Sequence, residues 1–134
     1  MSEIIDPAQR TAPDIREIGQ IAITVSNVQA AKAFYTGVLG LRSLFDAGPN
    51  LSFVAAGPVR LMLTTPQGAG EPGKNSVVYF KTNALPEFFR LAVARGARVE
   101  REPQLAAKMP DQELWIGFVR DPDGNVIGLM EERR

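Results

Sequence analysis

Two stretches of the sequence decide the fold: QIAITVSNVQAAKAFYTGVLG at residues 20–40 and SVVYFKTNALPEFFRLAVARG at residues 76–96. Each opens with side chains that alternate as in a strand, the first with Ile21 and Ile23 on one side. Each then continues with apolar residues at helical spacing. The two stretches therefore predict the same local unit, a strand followed by a helix.

The ends of the predicted helices also recur. Asn27 and Asn83 are residues that favour the N-cap, and Gly40 and Gly96 can end a helix in the left-handed conformation. Both pairs are separated by the same offset of 56 residues. Such agreement between the two halves of a chain indicates an internal repeat.

Short β-like stretches complete each unit. Three follow the first helix, at residues 42–46, 51–55 and 59–65, and three follow the second, at residues 98–102, 114–119 and 126–131. The repeat is therefore βαβββ, and neither copy alone can bury both its sheet and its helix. We predict an α+β fold in which two modules form a U-shaped sheet around a cavity, with the helices outside.

The chain divides into an arm and one domain. Residues 1–17 combine prolines and charges without periodicity, which predicts an N-terminal arm lying on the surface or on a partner subunit. Residues 18–134 form the predicted domain, with 45% hydrophobic residues in the whole chain to build its core. The predicted bounds are residues 18–65 for the first module, 66–75 for a loop and 76–131 for the second module.

Composition excludes several kinds of site and partner. The chain has no cysteine and no histidine, so it lacks thiolate ligands and the commonest metal ligand and general base. Fifteen basic and fifteen acidic residues balance, which argues against nucleic acid as a partner. No apolar run reaches the length of a membrane span or a signal peptide. We expect a cytoplasmic protein that contacts neither nucleic acid nor membrane.

Two motifs carry a family resemblance. Phe34 and Tyr35 followed by residues 38–41, and Phe118 followed by the turn at residues 121–125, resemble signatures of the vicinal oxygen chelate superfamily. This superfamily includes glyoxalases, bleomycin-resistance proteins and extradiol dioxygenases, and the resemblance covers about residues 18–131. It implies paired βαβββ modules, a U-shaped sheet and commonly a homodimer.

The resemblance also implies where a metal would be held. Aligning the motifs places the four ligand positions at Gln20, Met62, Ser76 and Gly128. An amide oxygen, a soft thioether, a neutral hydroxyl and a glycine do not make an ordinary three- or four-ligand site for the divalent ions that the family uses. We expect no metal and no other cofactor.

A ligand pocket remains the main candidate site. Its expected residues are Gln20, Arg60, Met62, Ser76, Trp115 and Gly128. Gln20 is either a pocket amide or a strand-end amide bonded to backbone or water. Arg60 binds an anion through its fork or is a solvated charge near a hairpin. Trp115 stacks on a flat ligand or packs in the core.

Strand alternation extends this pocket. If Gln20 faces the cavity, Ala22 and Thr24 do so as well, and the repeat then places Val78 and Phe80 on the cavity side of the second module. Tyr35 is expected in the core, and the carboxylates of the turn at residues 121–125 are expected to be solvated. Residues 109–113 are expected to form an exposed loop without a catalytic role.

These observations predict a metal-independent protein that binds a small apolar or aromatic molecule as a homodimer. One alternative is a lyase, isomerase or dioxygenase of the same superfamily with an unconventional or absent metal site. Another is a non-catalytic dimeric regulatory subunit. The fold alone does not choose among them, because one scaffold supports many functions.

Overall fold

The computed structural model describes residues 13–68 and 70–134, and it confirms the predicted α+β fold. Most of the predicted N-terminal arm lies outside the described residues. Each module consists of a strand, a helix and three further strands, in the predicted order. The first has β1 (Gln20–Thr24), β2 (Arg42–Asp46), β3 (Leu51–Ala56) and β4 (Val59–Thr64); the second has β5 (Val78–Lys81), β6 (Arg98–Met109), β7 (Gln112–Arg120) and β8 (Val126–Arg133).

The strands form two four-stranded sheets with the same topology. Their orders are β1-β4-β3-β2 and β5-β8-β7-β6, with the first pair parallel and the other pairs antiparallel. Each helix connects the first two strands of its module and packs on that module's sheet. This arrangement leaves one face of each sheet against a helix and the other face turned away from it.

One hydrophobic core joins the two modules on the helix side. Ile23 and Leu63 of the first sheet and Ile127 and Leu129 of the second are at most 2% exposed and belong to one cluster. Burial of such side chains stabilises a fold by roughly 1.5–3 kcal/mol each. Their immediate neighbours along the strands therefore point to the opposite face of each sheet.

The first helix contains an extra residue. It begins as an α-helix over Val28–Lys32 and continues as a π-helix over Ala33–Val38, so that the amide of Leu39 donates to the carbonyl of Phe34, five residues earlier. Asn27 caps this helix as predicted, accepting from the amide of Ala30 at 2.9 Å. The π-turn absorbs one residue that the second helix does not have.

The second helix, Leu85–Ala94, begins one residue later than predicted. Its N-cap is Ala84, not Asn83, and the side chain that bonds there is Thr82, whose hydroxyl accepts from the Ala84 amide at 3.2 Å. The prediction for Asn83 was wrong because the π-turn makes the two helices unequal in length. Gly40 and Gly96 end the helices with φ of 79° and 108°, as predicted.

A buried carboxyl group locks the first helix to the second module. Asp121 is 1% exposed and accepts from the hydroxyl of Tyr35 and the side-chain amide of Asn125, both at 2.8 Å. The predicted solvation of this carboxylate was therefore wrong, because the turn faces the other module. Burial, with the adjacent Asp121 carboxylate, raises the pKa of Tyr35 far above its ordinary value.

A second set of hydrogen bonds joins the modules at the end of β1. The side chain of Asn75 accepts from the Thr24 amide at 3.0 Å and donates to the Thr24 carbonyl at 2.8 Å. Asn75 also donates to Asn125 at 2.8 Å. The amide of Ser26 donates to the Asp123 carboxylate at 3.0 Å. The end of β1 is thereby fixed beside the start of the second module.

The β6–β7 hairpin is longer than the sequence indicated. β6 and β7 pair from Arg98 with Arg120 as far as Met109 with Gln112, so the expected loop at residues 109–113 is a tight turn between long strands. The sequence of β6 does not show the alternation of apolar and polar residues that marks a half-buried strand, because nearly all of β6 is exposed. None of the helices in residues 13–68 and 70–134 is long and apolar enough to span a membrane.

Candidate functional site

The face of each sheet that turns away from the helices carries the candidate site. In the first sheet, consecutive cross-strand partners form a row across β1, β4, β3 and β2: Ala22, Met62, Phe53 and Phe45. In the second sheet, the equivalent row crosses β5, β8, β7 and β6: Tyr79, Gly128, Phe118 and Arg101. Cross-strand partners share one face, so each row is a continuous strip of side chains. We refer to them as the first row and the second row.

The structure brings three of the expected site residues together beside the first row. The Nε of Arg60 donates to the Oε1 of Gln20 at 2.8 Å. The Nε2 of Gln20 lies 3.4 Å from the sulfur of Met62. Gln20 therefore holds its amide between a cation and a thioether, which fixes both side chains on the face.

Arg60 is also held by aromatic rings. Its Cζ lies 4.8 Å from the centroid of the Phe53 ring, a cation–π distance. Phe53 in turn stacks on Phe45, with centroids 4.6 Å apart and planes inclined by 27°. Phe45 is 50% exposed. Phe53 is only 7% exposed, so Phe45 is the open part of this aromatic group and the Arg60 guanidinium lies over the buried ring. Such an arrangement suits a flat ligand that carries an anionic group.

The second row has a different composition. A Cβ built on Gly128 would lie 2.7 Å from Cε2 and 2.9 Å from Cγ of Tyr79, so the Tyr79 ring covers this glycine. Tyr79 also meets Phe118 edge to face, with centroids 5.8 Å apart. The Cζ of Arg101 lies 5.7 Å from the Phe118 ring. This row is therefore a second aromatic surface beside an arginine.

The alternation expected for the second module is shifted by one residue. Val78 and Phe80 pack against the hydrophobic core, whereas Tyr79, which the sequence analysis missed, lies on the site face. Ser76 is exposed and precedes β5. The prediction that Val78 and Phe80 face the same cavity as Gln20 was wrong, because the repeat was aligned through Gly40 and Gly96, beyond the π-turn. Both residues instead line a cleft on the core side.

Trp115 lies on the opposite face from Gln20 and Met62. It lies two residues before Gly117 on β7 and therefore shares the face of that glycine. A Cβ built on Gly117 would lie 3.0 Å from Cδ1 of Phe89 in the second helix, so this face is the helix side. The Trp115 indole donates to Glu113 at 3.0 Å, and Arg133 lies over its ring at 4.6 Å. The structure therefore does not bring Trp115 together with the other expected pocket residues.

The four positions implied for a metal do not fit a divalent ion. The Gln20 oxygen already accepts from a guanidinium, Met62 offers a soft sulfur, and the Gly128 position is covered by a ring. Within residues 13–68 and 70–134, no three acidic, histidine or cysteine side chains are grouped to hold a metal. We assign no step of the function to a metal.

A cleft lies between the modules on the helix side. Its volume is about 480 Å³, and its lining is mainly aliphatic and aromatic. Ile21, Leu61, Val78, Phe80, Phe88 and Leu129 contribute to its wall. These six residues belong to the core side of both sheets, but Tyr79 of the second row also lines the cleft, so the cleft borders that row at β5.

Comparisons with known proteins agree with this architecture. A family model described as Glyoxalase/Bleomycin resistance protein/Dioxygenase superfamily matches residues 17–129. A search of curated proteins found no match. Among solved structures, the antibiotic binding protein TnmS3 from Streptomyces sp. CB03234 shares 24% identity with a TM-score of 0.74, covering 90% of this chain and 99% of that one.

Two further structures show the same fold. A virulence protein from Salmonella typhimurium is 21% identical with a TM-score of 0.73, covering 89% of this chain and 98% of its own. A glyoxalase/bleomycin resistance protein/dioxygenase from Alicyclobacillus acidocaldarius is 15% identical with a TM-score of 0.68, covering 87% and 91%. Together with the duplicated βαβββ modules, the family match shows that the chain belongs to the glyoxalase/bleomycin resistance protein/dioxygenase superfamily.

Proposed function

We propose that this protein binds a small, flat aromatic molecule with an anionic group on its site face, without using a metal. The observation that carries the proposal is the group formed by Arg60, Phe53 and Phe45, held in place by Gln20. A ring stacked on the exposed Phe45 would direct its anionic substituent toward the guanidinium that lies over Phe53.

The chemistry of the two rows favours binding over catalysis. Neither row contains a carboxylate or an imidazole, and the side chains along them are mainly apolar, aromatic or guanidinium. Such a surface recognises a ligand but offers little for proton transfer. TnmS3 is described as an antibiotic binding protein, so a binding function on this fold has a precedent at 24% identity.

Metal independence is part of the proposal. Because Gln20, Met62, Ser76 and Gly128 offer so few hard donors, purified protein should hold no stoichiometric divalent metal. Elemental analysis of protein prepared without chelators measures this. About one tightly held zinc, nickel or iron per chain would contradict it.

We also propose that the protein is a homodimer. Phe45 and Tyr79 are 50% and 47% exposed on the two rows, and a second copy facing them would enclose the ligand. Light scattering at micromolar concentration should give twice the chain mass. A monomer mass would remove this part of the proposal and leave the ligand surface open to solvent.

Two fluorescent probes test the ligand class. Anilinonaphthalene sulfonate and phenylnaphthylamine share their ring system and differ in the sulfonate. Both should bind the wild type saturably. Because hydrogen bonds to charged groups contribute roughly 1.5–3 kcal/mol, Arg60→Gln should weaken the sulfonate by about tenfold or more. The neutral probe should change little.

The matched control is Arg90→Gln, which removes an exposed arginine from the second helix, away from both rows. It should leave both affinities unchanged. Absence of saturable binding by the wild type would overturn the proposed function. An equal loss of both probes in Arg60→Gln, or the same loss in Arg90→Gln, would overturn the assignment of Arg60 to an anionic group.

A further inference from the structure

We infer that Tyr79 determines the specificity of this site: its ring, held over Gly128, is the surface of the second module on which the aromatic ligand stacks. The inference rests on the proposed function and assigns a residue that neither the repeat nor the family motifs identified. It is carried by the packing of Tyr79, Gly128 and Phe118 in the second row.

The position of the ring depends on the missing side chain of Gly128. Tyr79 and Gly128 are direct partners on the parallel strands β5 and β8, and the ring leans across the glycine. Its Cγ and Cε2 both lie within 3 Å of where a Cβ would stand, so no other residue at this position would leave the ring in place. The absence of a side chain at Gly128 therefore provides the space that the Tyr79 ring occupies.

The equivalent pair in the first row shows that the packing of a ring over a glycine is specific to the second module. Ala22 and Met62 occupy the corresponding positions on β1 and β4, with the small side chain on the first strand and the long one on the last. The second row reverses the sizes. A rigid ring thus replaces a flexible thioether at the same place in the fold, which gives a flat surface of fixed orientation.

The ring is held but not enclosed. Phe118 supports it edge to face, yet Tyr79 remains 47% exposed. An aromatic side chain that is fixed on one side and open on the other loses little conformational freedom when a ligand stacks on it. This combination favours a ligand contact over a purely structural cover for the glycine.

Anilinonaphthalene sulfonate titrations of the wild type and three variants test the inference. Tyr79→Ala should weaken the probe by about tenfold, because both the stacked ring and its apolar area are lost. Tyr79→Phe should restore nearly all of that affinity, since the ring remains. Leu91→Ala, which truncates a 43% exposed side chain on the second helix, should leave the affinity unchanged.

Gly128→Ala provides a variant that keeps Tyr79 but displaces its ring, because the added methyl group occupies the same space. It should weaken the probe several-fold in the wild-type background and have no further effect in the Tyr79→Ala background. Equal losses in both backgrounds would show that the ring position is irrelevant and would overturn the inference. Thermal melting of each variant confirms that folded protein is being titrated, and Tyr79→Leu replaces Tyr79→Ala if that variant does not fold.

The two possible failures are distinguishable. If the wild type does not bind the probe, the proposed function fails and the inference fails with it. If the wild type binds, and Tyr79→Ala melts at a lower temperature but retains the wild-type affinity, the ring is only a cover for Gly128. That result would overturn the inference and leave the proposed function standing.

Discussion

The two modules share one topology but fill equivalent positions in opposite ways. In the first row a small side chain on β1, Ala22, lies beside a long one on β4, Met62. In the second row the large Tyr79 on β5 lies beside Gly128 on β8. The summed volume is conserved across each strand pair, as cores and tightly packed faces require. The glycine at an expected metal position is therefore one half of a packed pair.

The hairpin turns of the two modules differ as well. The β7–β8 turn carries Asp121, which is buried against Tyr35 of the first module. The corresponding β3–β4 turn, at Gly57 and Pro58, makes no such polar contact among the described residues, and Gly57 instead borders the apolar cleft. The second module thus supplies the buried carboxylate that joins the two modules, while the first module holds the guanidinium of the candidate site.

The largest expected effect comes from removing the buried carboxylate of Asp121. Asp121→Ala would leave the Tyr35 hydroxyl, the Asn125 amide and two backbone amides without their buried acceptor. We expect a loss of about 3 kcal/mol or more in the free energy of unfolding, measured by urea denaturation. Pro58→Ala, in the equivalent turn of the first module, is the matched control and should cost under about 1 kcal/mol. Similar losses for both variants would contradict the difference between the turns.

The next largest effect on stability concerns Tyr35, which donates to Asp121, and it depends on pH. Tyr35→Phe removes one hydrogen bond to a buried carboxyl, which should cost about 1.5–3 kcal/mol near neutral pH. Because its pKa is raised in the folded state, Tyr35 keeps its proton where an unfolded tyrosine, with a pKa near 10, loses it. Its contribution is therefore complete below pH 10 and declines above it.

Urea denaturation from pH 8 to pH 11 measures this dependence. Above pH 10 the wild type should lose stability relative to Tyr35→Phe by about 1.4 kcal/mol per pH unit, since the unfolded state binds fewer protons than the folded state. The stability of the two proteins should thus converge as the pH rises. Parallel curves would mean that Tyr35 ionises in the folded protein as readily as in the unfolded chain.

A third substitution tests whether the second row can be returned to the pattern of the family. Gly128→Glu supplies a carboxylate at a position where the resemblance implies a metal ligand, but it must displace the Tyr79 ring. We expect a loss of about 1–2 kcal/mol in stability from the crowding. Added zinc or nickel should not raise the melting temperature, because one new carboxylate still leaves too few donors. Metal-dependent stabilisation of this variant would contradict the packing argument.

The smallest expected effect is at the edge of the first row. Gln20→Ala removes the acceptor that orients Arg60, and the guanidinium would then rely on Phe53 alone. Binding of anilinonaphthalene sulfonate should weaken by roughly 0.5–1.5 kcal/mol, or a few-fold. If a turnover assay is found, a loss on the order of a thousand-fold with binding intact would instead indicate that Gln20 acts in a transition state.

The sequence predicted the fold because its signals are local and occur twice. Alternation marks the strands, and Gly40 and Gly96 both adopt the positive φ that ends each helix. The one-residue error in β5 arose inside the first helix, where the π-turn of Ala33–Val38 absorbs an extra residue. Helical spacing of apolar residues does not reveal such a turn, so an alignment through the glycines shifts the strand that precedes them.

The candidate site was predicted only in part, since it depends on contacts between strands. Gln20, Arg60 and Met62 share one face, and alternation was enough to group them. Tyr79 was missed because its place follows from the shifted register and from the space above Gly128. Asp121 was expected in solvent because a turn of Asp, Pro and Gly looks the same in sequence whether it is solvated or buried against another module.

The buried contact between Tyr35 and Asp121 also has a consequence for the order of folding during synthesis. The hydroxyl group of Tyr35 belongs to the first module, and its acceptor, Asp121, is synthesised 86 residues later. Until residues 121–125 emerge, the first helix has no partner for a buried polar group, which disfavours early completion of the first module. The two halves are therefore expected to complete their folding together once residues 121–125 have been synthesised, although the repeat gives each half the outline of an independent unit.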